Sequence, residues 1–188
     1  MPGEIKQFLA LHPQVQIHLE ERISTRVTKA VAENQADIGI FAHLPFGQEV
    51  ETFHYRNDHL VLITPRDHLL AGRDAVRFAD TLDYDCVGLH AGSAINLQLV
   101  KAATELDRAV RMLIQVTSYE ALCLMVETGP GIGFLPEAVA RRYLSTLDIA
   151  QVRLDEPWAE RELKLCVRSY AALPVAARRL VDHLRHED

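Results

Sequence analysis

"GPGIGFLPE", residues 129–137, sets three glycines in alternation along a short apolar run that closes on a proline. A glycine-rich phosphate cradle requires a strand, then the glycines, then a helix whose free N–H groups meet the anion. Here the elements come in another order. Upstream, "SYEALCLMVET" repeats Ala121, Leu122, Met125 and Val126 at helical spacing, so Gly129 reads as the residue that ends a helix. Pro130 and Gly131 then make a turn, Ile132 to Leu135 a short buried strand, and Pro136 stands where the first helical residue of "EAVARRYL" belongs. Alternate glycines leave one face of that strand bare, which lets another backbone or a ligand approach closely. Spacing and order exclude both a Walker loop and a dinucleotide fingerprint.

Outward from this joint, strands and helices alternate almost throughout. "EIKQFLALHP" places Ile5, Phe8 and Leu9 on one helical stripe that stops at Pro13, and "VQIHLEE" alternates as a strand with Val15, Ile17 and Leu19 inward. Ser24 or Thr25 is positioned to cap a helix through Val27, Ala30 and Val31, and "ADIGIFA" is a second short strand. After a polar interval come the apolar strand "HLVLITP", a short helix at "FADTLDYD", and the strand "CVGLH" entering a helix at "AGSAINLQLVKAA". "VRMLIQV" alternates Val110, Met112, Ile114 and Val116 as a strand; the strands "IAQVRLD" and "ELKLCVR" and a helix begun by Pro174 close the chain. The alternation predicts an α/β protein built on parallel, doubly wound sheets.

The 188 residues are 48% hydrophobic and 24% charged, as in an ordinary globular protein, with a net charge of −6 and a pI near 5.8. That balance lacks the basic footprint of a chain that grips nucleic acid by its phosphates. Cys86, Cys123 and Cys166 lie far apart in apolar segments, and their odd number argues against a disulfide framework. No signal-like start and no run near the ~20 apolar residues of a membrane span are present, which sets the expectation of a cytoplasmic protein.

Two strand-to-helix turns carry hydroxyls where ligands of open parallel sheets bind. In "HAGSAIN", Gly92 permits a tight turn and Ser93 caps the next helix; in "TSYE", Thr117 and Glu120 have capping-box spacing, with Ser118 on the first turn. Helix N-termini favour an anionic ligand group through free N–H donors and the helix dipole, although most such caps are purely structural. Catalytic readings find little support. "AGSAI" lacks the second glycine of a nucleophile elbow, His54, His59, His68 and His90 have no metal-site spacing, and Glu20 and Glu21 point to opposite faces of their predicted strand.

The segments "FLALHPQVQIHLEE", "AVAENQADIGIF", "HLVLITPRDHLLA", "SYEALCLMVETGPGIGFLP" and "ELKLCVRSYAALPVAARRLVDHL", in this order and spacing, resemble the effector-binding domain of LysR-type transcriptional regulators over essentially the whole chain. The resemblance implies a type-2 periplasmic-binding-protein-like fold, with two Rossmann-like lobes joined by two crossover strands and a ligand cleft between them. On that mapping, residues 1–63 with 163–188 form a discontinuous first lobe and 64–162 the second. It implies effector contacts at Phe41 and Ala42, at Ser93 and Ala94, at Thr117 and Ser118, and at Phe134 on the glycine strand. The family's winged helix-turn-helix and its first effector-domain strand find no counterpart here, so the expectation is a destabilised sheet in the first lobe or an unpaired edge open to another chain.

The function implied is a ligand-sensing regulatory domain that binds a small organic acid, uses no cofactor or metal, and carries out no catalysis. Partners implied are the effector, a second copy in a side-by-side dimer or a tetramer, and DNA only through the absent helix-turn-helix. Two alternatives stay open: a free-standing solute receptor, and a dehydratase-like enzyme acting on a cyclic carboxylic acid.

Overall fold

The computed structural model describes residues 1–20, 22–42 and 49–185. The chain divides into two compact units, residues 1–57 with 162–188 and residues 58–161. Two strands, β2 (Glu51–Pro65) and β8 (Glu160–Val167), run through the boundary.

In the first unit, β1 (Gly39–Phe41) pairs antiparallel with β8, and β8 neighbours β2. Helix α2 (Ser24–Ala32) lies so close to β1 that a Cβ on Gly39 would stand 2.6 Å from Val27 and 2.8 Å from the Cys166 sulfur. The opposite face gathers Tyr55, Leu165 and Leu184, the last on α6 (Val175–Arg185). Helix α1 (Pro2–Leu11) contributes the buried Phe8 and Glu4; the Glu4 carboxylate accepts the Tyr55 hydroxyl at 2.9 Å and also pairs with Arg56.

Two expectations fail in this unit. Residues 15–20 form no strand, because no described strand supplies ladder hydrogen bonds; the alternation survives only as half-buried Val15 and Ile17, while Leu19 is 62% exposed. Helix α2 begins one residue after Ile23, which caps it through backbone geometry alone, so Ser24 is helical and is no cap. The Thr25 side chain lies outside the described residues.

The second unit is a sheet covered on both faces. Its order is β7 (Ile149–Leu154), β2, β6 (Ile132–Pro136), β4 (Asp85–Leu89) and β5 (Arg111–Val116), with the short β3 (Ala75–Val76) beside β7. Period-two alternation distributes each strand between two cores. Leu60, Leu62, Ile132, Phe134 and Val152 meet Ile95 and Leu99 of α3 (Ala94–Glu105) on one face. Val61, Ile63, Val87, Leu135 and Ile149 meet Leu122 and Val126 of α4 (Tyr119–Glu127) and Ala140 of α5 (Glu137–Tyr143) on the other. Each Val, Leu, Ile or Phe fully buried among them contributes about 1.5–3 kcal/mol relative to exposure.

The sheet is mixed, where strict alternation predicts parallel strands. β4 pairs in parallel with β5 and β6, but β2 is antiparallel to both β6 and β7. Strand β2 also starts earlier than its apolar run, at Glu51, since "ETFHYRND" alternates Phe53 and Tyr55 with His54 and Arg56. "FADTLDYD" yields only one 3₁₀ turn, Phe78–Thr81, held by the Thr81 hydroxyl donating to the Phe78 carbonyl at 2.6 Å.

The opening joint is a packing device. Helix α4 ends before Gly129, whose φ of +88° lies in the left-handed region that a side chain disfavours. A Cβ on Gly131 would stand 2.4 Å from the Asp85 carbonyl oxygen, and one on Gly133 2.7 Å from Leu122. The bare face is therefore filled by strand β4 and helix α4. All three cysteines are free and buried, and burial pushes the Cys86 thiol up to about 12 and those of Cys123 and Cys166 up to about 11.

Candidate functional site

Because β4, β5 and β6 run in parallel, their carboxyl ends share one edge of the second unit, and a helix leaves from each. Leu89 and Val116 are register partners, so the turns that follow them are neighbours. The His90 N–H donates to the Val116 carbonyl at 3.0 Å, and the Ser93 N–H donates to the His90 carbonyl at 2.9 Å. The first turn is thereby tied to the end of β5.

Ser93 is the N-cap of α3: its backbone is extended, its side chain is 7% exposed, and its Oγ accepts the Asn96 N–H at 3.1 Å. The hydroxyl keeps its own proton to donate. Ala94, half-buried, is the first helical residue. On the adjacent turn the cap is Ser118, whose Oγ accepts the Ala121 N–H at 3.2 Å.

The capping box predicted at Thr117 does not form. One hydroxyl serves the N–H three residues on, and Ser118, already extended at φ −136° and ψ 155°, takes that place. Thr117 lies just before it, exposed. Two helices of twelve and nine residues thus begin side by side, presenting first-turn N–H groups and the positive ends of their dipoles at one edge. This arrangement suits a carboxylate or phosphate group.

The remaining predicted positions lie elsewhere. Phe134 is 2% exposed within β6, with its ring edge-on to Phe78 at 5.7 Å. Phe41 is 3% exposed and packs with Val31 and Cys166 in the first unit, where the half-buried Ala42 follows it. Sequence reading passes over Asn96, the third residue of α3. It is 6% exposed, and its Oδ1 has no hydrogen-bond partner among the described residues. The available signal was a weak helix former inside a first turn.

The histidines do not converge. His54 Nδ1 meets Glu162 at 2.9 Å, and His59 Nδ1 stands 3.5 Å from Glu160. His68 Nδ1 accepts the Leu70 N–H while its ring stacks edge-on against Tyr84; burial holds it below the ordinary histidine range. Among the described residues no group of three or more His, Cys, Asp or Glu could hold a metal ion, and no helix is long and apolar enough to cross a membrane. Glu20 pairs with Arg22, while Glu21 lies outside the described residues.

The fold has solved counterparts. The regulatory domain of CcmR from Synechocystis PCC6803, in complex with 2-PG, superposes with a TM-score of 0.86 at 20% identity, covering 98% of this chain and 88% of that one. The effector-binding domain of QuiR in complex with shikimate gives 0.82 at 16% identity, covering 97% and 87%. In sequence, the chain is 25% identical over 179 residues to the uncharacterized HTH-type transcriptional regulator YbhD of Escherichia coli K12, covering 95% of this chain and 56% of that protein. It therefore spans little more than half the length of that relative. The model of the LysR substrate binding domain matches residues 1–188, and with fold and sequence in agreement the chain belongs to that family.

Proposed function

We propose that this chain is the ligand-sensing part of a transcriptional regulator and that it binds a small anionic metabolite at the shared carboxyl edge of β4 and β5. The observation that carries the reading is the side-by-side start of α3 and α4, with Ser93 and Ser118 at their caps. Ser93, Ala94, Thr117 and Ser118, all of the second unit, are the contacts proposed there. The ligands named for the QuiR and CcmR structures, shikimate and 2-PG, support a small acid as the class.

Binding shifts a conformational equilibrium only by its differential affinity for the two states, and the full-length protein is the proposed reader of that shift at DNA. The net charge of −6 supports assigning DNA contact to another part of the parent protein. Exposed Leu11 and Leu19 in the first unit, and Leu97, Val100 and Leu113 in the second, support self-association as the form in which it acts. A catalytic role is not part of the proposal: Ser93 has a capping partner, and Glu120, the carboxylate of the α4 first turn, is exposed.

The test is thermal unfolding of the purified chain against small carboxylates and phosphates, shikimate and 2-PG included, each beside its neutral ester. A ligand at a hundredfold excess over its Kd stabilises by about 2.7 kcal/mol, a rise of roughly 5–10 °C for a domain of this size. The expected hit is an acid whose ester is silent. A flat response to every acid, in a protein that unfolds cooperatively, contradicts the proposal.

A further inference from the structure

The chain passes between its two units twice, after Asn57 in β2 and after Arg161 in β8. On both strands the apolar pattern gives out at that point. Residues 54–59 of β2 and 160–164 of β8 are polar or charged except Tyr55 and Leu163, and of all of them only Tyr55 is buried. Hydrophobic patterning specifies register where one face is buried, so it specifies these two neighbouring stretches weakly.

Charge meets charge there instead. Asp58 pairs with Arg161, and the residues next to them, His59 and Glu160, approach to 3.5 Å. The two pairs run in opposite chain order, as facing residues of antiparallel neighbours do. The side chains of Asp58 and Arg161 are 8% and 14% exposed, whereas Glu160 lies exposed. Arg161 Nε has no hydrogen-bond partner among the described residues. Withdrawing two charges from water and leaving a donor unmet costs stability, so a gain in stability does not account for the pair.

We infer that the Asp58–Arg161 pair is a register pin: two positioning residues that hold β2 and β8 in one alignment where the chain passes between its units. The inference is independent of the effector reading. A slip by two residues keeps every side chain on its own face, and apolar neighbours would tolerate it. On the alignment that the two pairs mark, such a slip sets Asp58 against Ala159 or Leu163, and Arg161 against Arg56 or Leu60. Either direction leaves both charges without a partner, a state far costlier than the paired one.

The test compares the parent chain with an apolar pair, Asp58→Leu with Arg161→Met, and a reversed pair, Asp58→Arg with Arg161→Asp. Thermal unfolding and amide-resolved NMR are recorded without ligand. The apolar pair is expected to unfold at the same or a higher temperature, as follows when a buried ion pair gives way to apolar side chains. Its amides at 56–60 and 159–163 should nevertheless split into two or more sets of signals, while those of β4 stay single. The reversed pair keeps the attraction and should return one set.

A single set of signals in the apolar pair, splitting that reaches β4, or a melting temperature several degrees below the parent overturns the inference. Failure of the reversed pair to restore one set overturns it as well. Each of these outcomes leaves the effector reading standing.

Discussion

Gly131 and Gly133 illustrate how single residues decide this fold. Each lacks a side chain because a neighbour occupies its place, but the neighbours differ in how far they can yield. At Gly131 the obstacle is the Asp85 carbonyl, part of the β4 backbone; at Gly133 it is the tip of Leu122, which can change rotamer. Gly131→Ala should therefore cost about 1–3 kcal/mol by forcing β4 and β6 apart, and Gly133→Ala distinctly less. Urea unfolding of both variants checks the ranking, and equal losses would contradict it. The sequence made the bare strand face legible, since alternate glycines are visible in any register. It did not say whether backbone, helix or ligand fills the space, because that depends on which strand lies alongside.

At the scale of elements, the two capped helices separate what local sequence determines from what it leaves open. Ser118→Ala should destabilise by about 0.5–2 kcal/mol through loss of the α4 cap, and Thr117→Ala by no more than a few tenths, because only one hydroxyl fills the capping position. Thermal unfolding of the two variants tests the assignment, and a larger loss at Thr117 would reverse it. "TSYE" offers two hydroxyls in succession, and the choice falls to the backbone angles at the end of β5, which local sequence does not reveal. Segment 15–20 shows the opposite limit. Val15, Ile17 and Leu19 alternate as a strand should, yet a strand exists only with a ladder partner, and none of the described strands supplies one. The first half of β2 was legible in principle through Phe53 and Tyr55, but its four charged or histidine residues hid the alternation. Asn96 left only the weak signal of a poor helix former in a first turn, since the state of its Oδ1 is a property of tertiary packing.

Across the whole molecule, membership of the LysR substrate-binding domain family and the α/β architecture of each unit agree with what the ordered motifs imply. The second unit carries the features on which the functional account depends: a sheet covered on both faces, parallel β4 and β5 ending together, and two helices starting at that edge. The most direct test is an amide-resolved NMR titration with whichever acid raises the melting temperature most. The account predicts that the largest shifts fall on residues 93–96 and 118–121, the first turns of α3 and α4, and that they saturate with the affinity measured by calorimetry. Saturable shifts confined to other surfaces, with those two turns unmoved, would contradict the placement of the effector.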